Sequence, residues 1–554
     1  MKISKNWLQN FFDGKLPATS ELCDAITFHA FEIDGVEGKG GDDILDIKVT
    51  PNRGHDALSH RGIAKEVSAI LKMPIKADID PMGKGFADRF AQAPRTDAVS
   101  ITLEDPALSP RYIAAYIKGV KVGPSPEWLK SGLEAIGQRS INNIVDATNL
   151  VMFNLGQPMH AFDAGKLEQK GGRYHIVVRR AKAGEKLLAL DQKEYALDES
   201  TLVIADGNRD EAVGIAGIKG GTPAGITEAT TDLILEAANF NGTATRKSSQ
   251  QLKLRTDASA RFEQGVSPEL CAYAMENAIE IIKSIAGGEL VSVADVYPSA
   301  QKETRVKVSV IKINRTLGSR LTGADVADVF SRLGFSYKEE GDEFEVVAPA
   351  ERLDIMIPED LIEEVGRIIG YDKIAGVPLP PPERAPETNA NYLAAEKARE
   401  ELAAQGYSEV YTSVFAEEGE RAVLNKADSV RPFMRTSLIS GLESALKKNI
   451  PNKDLLGLKE VKLFEIGAVW KGGKEVVMLG TIGEKEQASE KPLDPQDGKY
   501  ENYPLSKASQ FAPFSKYPYI VRDIALWVPK EAESSEVEAM IRGEAGALAQ
   551  RIAL

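Results

Sequence analysis

Three groups of residues in this chain have the types and spacing to do chemistry. The first is an acidic run that begins at Glu351, ERLDIMIPEDLIEEVGRIIGYD. Asp360, Glu363 and Glu364 stand at i, i+3 and i+4, which puts three carboxylates on one helix face. Asp354 sits just before the helix start and can fold back towards them. Two readings are open. Pro358 suits a first helical position, and Glu359 and Asp360 suit a first turn, where the helix dipole favours negative charge. Alternatively, four carboxylates converging without a nearby lysine need a hard cation, and magnesium or calcium prefers oxygen ligands. The second group is scattered. His160, in QPMHAFDAGK, is one of only five histidines, and its apolar approach allows a structural or a catalytic role. Thr148 and Asn149 interrupt VDATNLVM, and Glu236 interrupts the apolar strand DLILEAANF. A buried carboxylate is costly unless it is paired or used for recognition. Thr256 and Ala258, in RTDASARFEQG, supply small groups that can line a pocket. The third is the cluster GIAGIKGG (214–221), centred on Gly217. It lacks GxGxxG spacing, and reads as a turn or bulge, or as a place where backbone approaches a ligand. No phosphate loop, HExxH or GxSxG motif occurs.

The elements that must position these residues read as follows. Helical NWLQNFF and SELCDAITFHAF lead to a strand, FEIDGVEG. After the short break GKGGDD, a second strand runs to Val49, turns at Thr50-Pro51-Asn52 and passes into an amphipathic helix that Asp56 is placed to cap. Residues 101–290 carry more strands than helices: RYIAAYIKGV, YHIVVRRA, STLVIAD, DEAVGIAGIKGG and DLILEAANF. The helices PEWLKSGLEAIG and SPELCAYAMENAIEIIKSIAGG accompany them, the second stopped by a glycine pair. A smaller strand–helix–strand–helix unit covers 302–376. PLPPPERAPET then reads as a semi-rigid linker. Beyond it come helix NYLAAEKAREELAAQGY, strand EVYTSVF, helix SLISGLESALKKN and strands VKLFEIGAVW and VVMLGTIG. A polar break precedes a last strand, IVRDIALWVP, and helix SSEVEAMIRGEAGAL.

At 554 residues the chain is too long for one core and implies several domains of about 150 residues each. Hydrophobic residues make up 43% and charged residues 27%, which excludes disorder over most of the length. The formal net charge of −14 argues against a general nucleic-acid coat protein, while leaving room for local basic patches. Two cysteines, Cys23 and Cys271, exclude a disulfide framework and a four-thiolate zinc site. With no signal-like start and no apolar run of about 20 residues, the expected compartment is a reducing cytoplasm.

The order of segments resembles the β subunit of bacterial phenylalanyl-tRNA synthetase. The resemblance rests on NWL near the start, TPNR (50–53), INNIVDATNLVMFNLGQPMHAFD (141–163), the GIKGG cluster, LILEAANF and LRTDASARFEQGV (254–266). It continues through RLDIMIPEDLIEEVGRIIGYDKI (352–374), MRTSLISGL…LFEIGAVW (434–470) and KYPYIVRDIALWV (516–528). It covers nearly the whole chain. Two departures stand out: only GKGGDD occupies the place of the family's OB-fold tRNA-binding insertion, and the region between Gly483 and Lys516 is shortened.

That resemblance implies an α+β multidomain fold. Its expected parts are a B1/B6-like region (1–100), a mixed α/β B3/B4-like editing domain (101–290) and a small winged-helix-like B5 domain (302–376). A degenerate class II synthetase-like antiparallel-sheet core (388–500) and a partial ferredoxin-like anticodon-binding domain (509–554) follow. It implies a phenylalanine–tRNA ligase in which an α partner, in an α₂β₂ heterotetramer, holds ATP and phenylalanine and charges tRNA(Phe). The β chain's own reaction would be hydrolysis of mischarged tyrosyl-tRNA(Phe). In that picture Glu236 and the Gly217 backbone recognise the tyrosine hydroxyl, His160 is a catalytic candidate, and Thr148, Asn149, Thr256 and Ala258 line the pocket. Asp354, Asp360, Glu363 and Glu364 match carboxylates that hold Mg²⁺. Two other functions compete: a stand-alone trans-editing hydrolase, and a structural scaffold with an inactive pocket.

Overall fold

In the computed structural model, residues 1–76, 90–381, 383, 387–425, 429–498, 516–518 and 520–552 are described. The chain begins with β1 (Lys2–Ser4), α1 (Lys5–Gln9) and α2 (Thr19–His29), followed by β2 (Glu32–Lys39) and β3 (Asp42–Lys48). The last two form a hairpin whose register runs out to Lys39 opposite Asp42. Gly40 and Gly41 close it, both at positive φ, the two-residue turn that matches strand twist. No further module is inserted at this point, as the GKGGDD spacing implies. The next helix, α3 (His60–Leu71), is capped by Ser59, whose hydroxyl accepts from the Gly62 amide. Asp56, the expected cap, lies too early and is held by Arg53 instead.

The middle region is built in three layers, and period-2 alternation explains them. Its strands are β4 (Val99–Leu103), β5 (Arg111–Lys118), β6 (Met159–Asp163), β7 (Arg173–Arg180), β8 (Leu202–Asp206), β9 (Glu211–Ile215), β10 (Lys219–Gly220), β11 (Asp232–Asn239) and β12 (Glu289–Val296). They form a four-stranded antiparallel sheet, β12-β5-β11-β6, and a second sheet, β10-β9-β8-β7-β4, with the short strand Gln169–Lys170 added on β7. Ile113, Ala115, Ile117, Leu233, Leu235 and Ala237 point to one side of the first sheet. There they meet α4 (Asn143–Leu155) and α6 (Leu270–Ala286). The alternate residues Tyr112, Ala114, Tyr116, Ile234 and Ala238 point to the other side, against Ile176, Val178, Ile204 and Val213 of the second sheet. Strands buried on both faces read as continuous apolar runs. Glu236 falls on the inter-sheet face of such a run. A short helix, α5 (Asp257–Phe262), sits beside it.

Residues 305–369 form β13 (Arg305–Ser309), α7 (Val310–Leu317), α8 (Gly323–Arg332), β14 (Ser336–Glu340), β15 (Glu343–Val347) and α9 (Pro358–Ile369). The antiparallel order is β13-β15-β14, with Phe330, Phe344, Leu361 and Val365 in the core. All of this belongs to one compact unit, Met1–Val377. The second unit, Pro378–Leu554, begins at the proline-rich linker.

The second unit departs from the sequence expectations in three places. Its sheet, β16-β17-β18-β19, combines β16 (Ser408–Glu409), β17 (Lys462–Lys471), β18 (Lys474–Gly483) and β19 (Ser489–Pro492) under helix α11 (Ile439–Asn449). A further helix, α10 (Ala390–Ala404), precedes the sheet. The sheet is antiparallel except for β16, which joins β17 in parallel. The expected strand EVYTSVF breaks after Glu409, where the Glu465 side chain takes the Thr412 amide and hydroxyl, and resumes only at Phe415, which pairs with Met434. The expected strand IVRDIALWVP has no ladder partner among the described residues, and Ile520, Ile524 and Trp527 stand exposed. A lone strand has nowhere to put its backbone donors. The described residues of 516–552 contain α12 (Ser534–Ala545) and a short 3-10 turn, Gly546–Leu548, and no strand among them.

Candidate functional site

Strands β6 and β11 pair antiparallel, and the register places His160 directly opposite Glu236. Both face the gap between the two sheets. There they line a cleft of about 70 Å³ together with Gly217, Gly220, Ala258 and Phe262. The cleft thus gathers residues separated by nearly a hundred positions in sequence.

Glu236 is 5% exposed. The Tyr112 hydroxyl donates to its Oε2 at 2.6 Å. Burial pushes the Glu236 carboxyl up to about 7, against the opposing pull of the Tyr112 hydrogen bond. A carboxyl that titrates near neutrality in a cleft, held by a phenol and with no cation beside it among the described residues, is a recognition or proton-handling group rather than an ion-pair member. His160 is half-buried, with its ring edge-on to Phe162 at 4.7 Å. Burial lowers its pKa to about 4, so the ring is neutral at pH 7. Its Nε2 is sealed from solvent with no hydrogen-bond partner. Buried polar atoms are nearly always bonded, and an orphan at a cleft wall marks a place for a ligand or water.

The glycine cluster does two jobs. Gly217 makes the turn between β9 and β10 at φ +69°, and a Cβ there would meet Phe240 at 3.0 Å and Phe262 at 3.1 Å. A Cβ on Gly220 would lie 2.4 Å from the His160 ring. The turn reading of GIAGIKGG therefore holds, and its glycines also let the backbone pass close to the aromatic and His160 rings. Gly220 was not singled out by sequence; its only signal was membership of a Gly-Gly pair. Thr256 fixes the wall: its hydroxyl caps α5 by accepting from the Ser259 amide at 3.1 Å, and donates to the Ile218 carbonyl at 2.9 Å. Thr148 and Asn149 do not line the cleft. The Thr148 hydroxyl is buried and donates to the Val145 carbonyl of its own helix.

The acidic run is organised differently from the cation-binding expectation. The expected convergence of four carboxylates without a nearby lysine gives way to pairing with three buried arginines. Arg352 donates twice to Asp354, at 2.9 and 2.7 Å, and once to Glu364 at 2.9 Å. Arg367 donates to both oxygens of Glu364, at 2.7 Å each, and to both oxygens of Glu66. Arg53 bridges Glu66 and Asp56. His55 adds a contact to Asp354 at 2.9 Å. Burial alone would raise the Glu364 carboxyl, yet Arg367 and Arg352 hold it far below the usual range. Asp360 accepts from the Met356 and Ile357 amides at 2.8 Å, a capping role. Glu363 is exposed, and burial of its stem and the adjacent Glu364 raise its pKa. Among the described residues no three metal-ligating side chains come together. The donor set does not fit magnesium, because Asp354 and Glu364 already have both oxygens held by guanidinium groups.

Comparison with known proteins gives the following likenesses. A family model described as the B3/4 domain matches residues 108–287, one described as the tRNA synthetase B5 domain matches 306–371, and one described as the phenylalanyl tRNA synthetase beta chain CLM domain matches 378–492. The phenylalanine–tRNA ligase beta subunit of Rhodopirellula baltica is 36% identical over 82% of this chain and 64% of its own length. That of Syntrophus aciditrophicus is 37% identical over 78% of this chain and 54% of its own. That of Bacillus thuringiensis subsp. konkukian is 31% identical over 93% of this chain and 73% of its own. The chain thus spans little more than half the length of several curated relatives it matches. An N-terminal fragment of the phenylalanyl-tRNA synthetase beta-subunit from Pyrococcus horikoshii is similar at TM-score 0.38 and 14% identity, over 67% of this chain and 99% of that one.

Proposed function

This chain belongs to the phenylalanine–tRNA ligase β-subunit family, and from that premise we propose that it edits tyrosyl-tRNA(Phe) in the cleft between its two sheets. We further propose that it assembles with an α subunit as α₂β₂, with ATP, phenylalanine and the charging reaction in the α partner. The winged-helix-like reading of 302–376 and the synthetase-like reading of 388–500 belong to the same proposal. No described helix is long and apolar enough to cross a membrane.

The observation that carries the editing reading is Glu236, a buried carboxylate without a cation at the wall of a small cleft. A site selecting phenylalanine discriminates poorly against an isostere that adds one hydroxyl, so a second, hydrolytic sieve is physically reasonable. Tyr112 holds one oxygen of Glu236, and the other is offered to the phenol of a tyrosyl ester, which donates to it. The Gly217 amide would donate to the phenol oxygen. Neutral His160, with Nε2 unbonded, orients a water or takes its proton as that water adds to the ester carbonyl. The carbon–oxygen bond to the ribose then breaks, and the ribose oxygen leaves with a proton. Ala258 keeps the wall small.

Replacing Glu236 with Ala should sharply reduce tyrosine release from pre-mischarged tRNA, while phenylalanine charging by the α-containing complex stays nearly intact. Ala258→Trp should give the same split by filling the cleft. An E236A chain that edits like its parent removes the specificity assignment. Equal loss of charging and editing in both variants makes these residues structural, which is what the scaffold reading requires. A chain that edits but shows no binding to α at micromolar concentration favours the stand-alone hydrolase.

A further inference from the structure

A second hollow opens beside α5. It measures about 500 Å³ and is lined by Pro51, Arg246, Ser249, Lys253, Arg255 and Glu263. Arg246, Lys253 and Arg255 are all exposed. Arg255 is paired with Glu263 at 2.7 Å. Among the described residues neither Arg246 nor Lys253 has a carboxylate within ion-pair distance. Three cations against one carboxylate, in a chain whose net charge is −14, make a local basic seat in an acidic field.

The backbone adds an independent observation. Lys253 adopts φ +51°, a left-handed conformation in which lysine is disfavoured and glycine is the usual occupant. The turn is fixed by Lys253 donating to the Gln250 carbonyl and by Leu254 donating to the Ser249 carbonyl at 2.9 Å. The Ser249 hydroxyl holds the Leu254 carbonyl at 2.8 Å. Strain of this kind, kept at a cation facing a hollow, points to use of that cation.

Position decides what the seat takes. Arg255 and Glu263 flank the two ends of α5, while Ala258 and Phe262 of that helix line the cleft. A six-residue helix is about 9 Å long, so the hollow lies within a nucleotide or two of a ligand in the cleft. A tyrosyl ester in the cleft is joined to a ribose, and that ribose to a phosphodiester chain. We infer that the hollow between the Pro51 turn and residues 246–255 seats the phosphates of the RNA 3′ end whose aminoacyl ester occupies the cleft. This rests on the editing reading above. Arg246 and Lys253 are positioning residues: they touch phosphate, carry no sequence information and take no part in ester cleavage.

The test compares two esters on the full chain. One is tyrosyl-tRNA(Phe); the other is the tyrosyl ester of adenosine, which has no phosphate. Lys253→Gly deletes a cation while relieving the turn, so it folds at least as well as the parent, and Arg246→Gln changes only a surface side chain. The double variant should raise KM for the RNA ester about tenfold with kcat unchanged, and flatten the salt dependence of log KM by roughly 0.7 per lost contact. Hydrolysis of the adenosine ester should not change. An unchanged KM and salt slope for the RNA ester overturns the proposal, as does an equal loss on both esters. A parent chain that hydrolyses neither ester overturns the editing reading, and the phosphate seat with it.

Discussion

Two buried regions of the first unit carry carboxylates, and they solve the same electrostatic problem in opposite ways. Around Glu364, burial is answered by guanidinium: Asp56, Glu66, Asp354 and Glu364 are laced to Arg53, Arg352 and Arg367. Every charge has a partner, and the lacing joins the TPNR turn and α3 to the 351–369 segment. Around Glu236, burial is answered among the described residues by the Tyr112 phenol, and the carboxyl drifts up to about 7. The first arrangement holds segments together. The second leaves a carboxyl without a cation and a histidine nitrogen without a hydrogen-bond partner at a cleft, a place where a ligand can bind. Two of the acidic residues close in sequence, Asp354 and Glu364, are thus held in ion pairs, while a lone glutamate in an apolar strand is the functional candidate.

The comparison is sharpest when both glutamates are changed to the isosteric amide. Glu364→Gln leaves Arg352 and Arg367 buried against a neutral partner and should destabilise the chain by about 3–5 kcal/mol, read by denaturant titration. Glu236→Gln should do the reverse. The folded pKa of Glu236 is raised, so between about pH 4.5 and 7 the folded state binds more protons than the unfolded one. Its presence therefore lowers stability as pH rises through that window, by at most about 3 kcal/mol at pH 8. Glu236→Gln should be more stable than the parent at pH 8 and nearly equal to it at pH 4. If both substitutions destabilise alike at pH 8, the contrast between the regions is wrong.

Smaller effects sharpen the same contrast. Gly220→Ala pushes a methyl into the His160 ring and should cost about 1–3 kcal/mol, with editing falling further than stability. Unaltered editing in that variant would place the reactive pose elsewhere. Glu363→Gln should shift stability by no more than about 0.5 kcal/mol, with or without magnesium. A magnesium-dependent rise in the unfolding midpoint, lost in Glu363→Gln, would restore a cation to the acidic run.

Much of this was legible in the sequence, and the parts that were not share a cause. The alternation of DLILEAANF placed Glu236 in a strand, and its interruption of an apolar run marked it. His160, Gly217 and Ala258 reach the same cleft, and Thr256 braces its wall. Thr148 does not, because a helix interior gives its hydroxyl a carbonyl one turn back. The arginines were overlooked because the acidic run was weighed for a nearby lysine only, and Arg53 and Glu66 lie some 300 positions away from Arg367 and Glu364. Asp56 fits a cap by position, but Arg53, three residues before it, claims its carboxylate, and Ser59 caps the helix instead. The strand expected at IVRDIALWVP failed for a similar reason: propensity names a strand, but only a neighbour makes one.

The central claim is that Glu236 and the Gly217 amide read one hydroxyl. Two polar groups left buried and unpaired by a phenyl ring, at roughly 1–3 kcal/mol each, amount to a rate difference of about thirtyfold to twenty-five-thousandfold. The direct measurement is single-turnover hydrolysis of tyrosyl- and phenylalanyl-tRNA(Phe), carried by the same tRNA, at pH 8. The account predicts that the parent releases tyrosine faster by a factor in that range, and that Glu236→Gln brings the two rates close together. Equal rates in the parent, or a preference that survives Glu236→Gln unchanged, would contradict it.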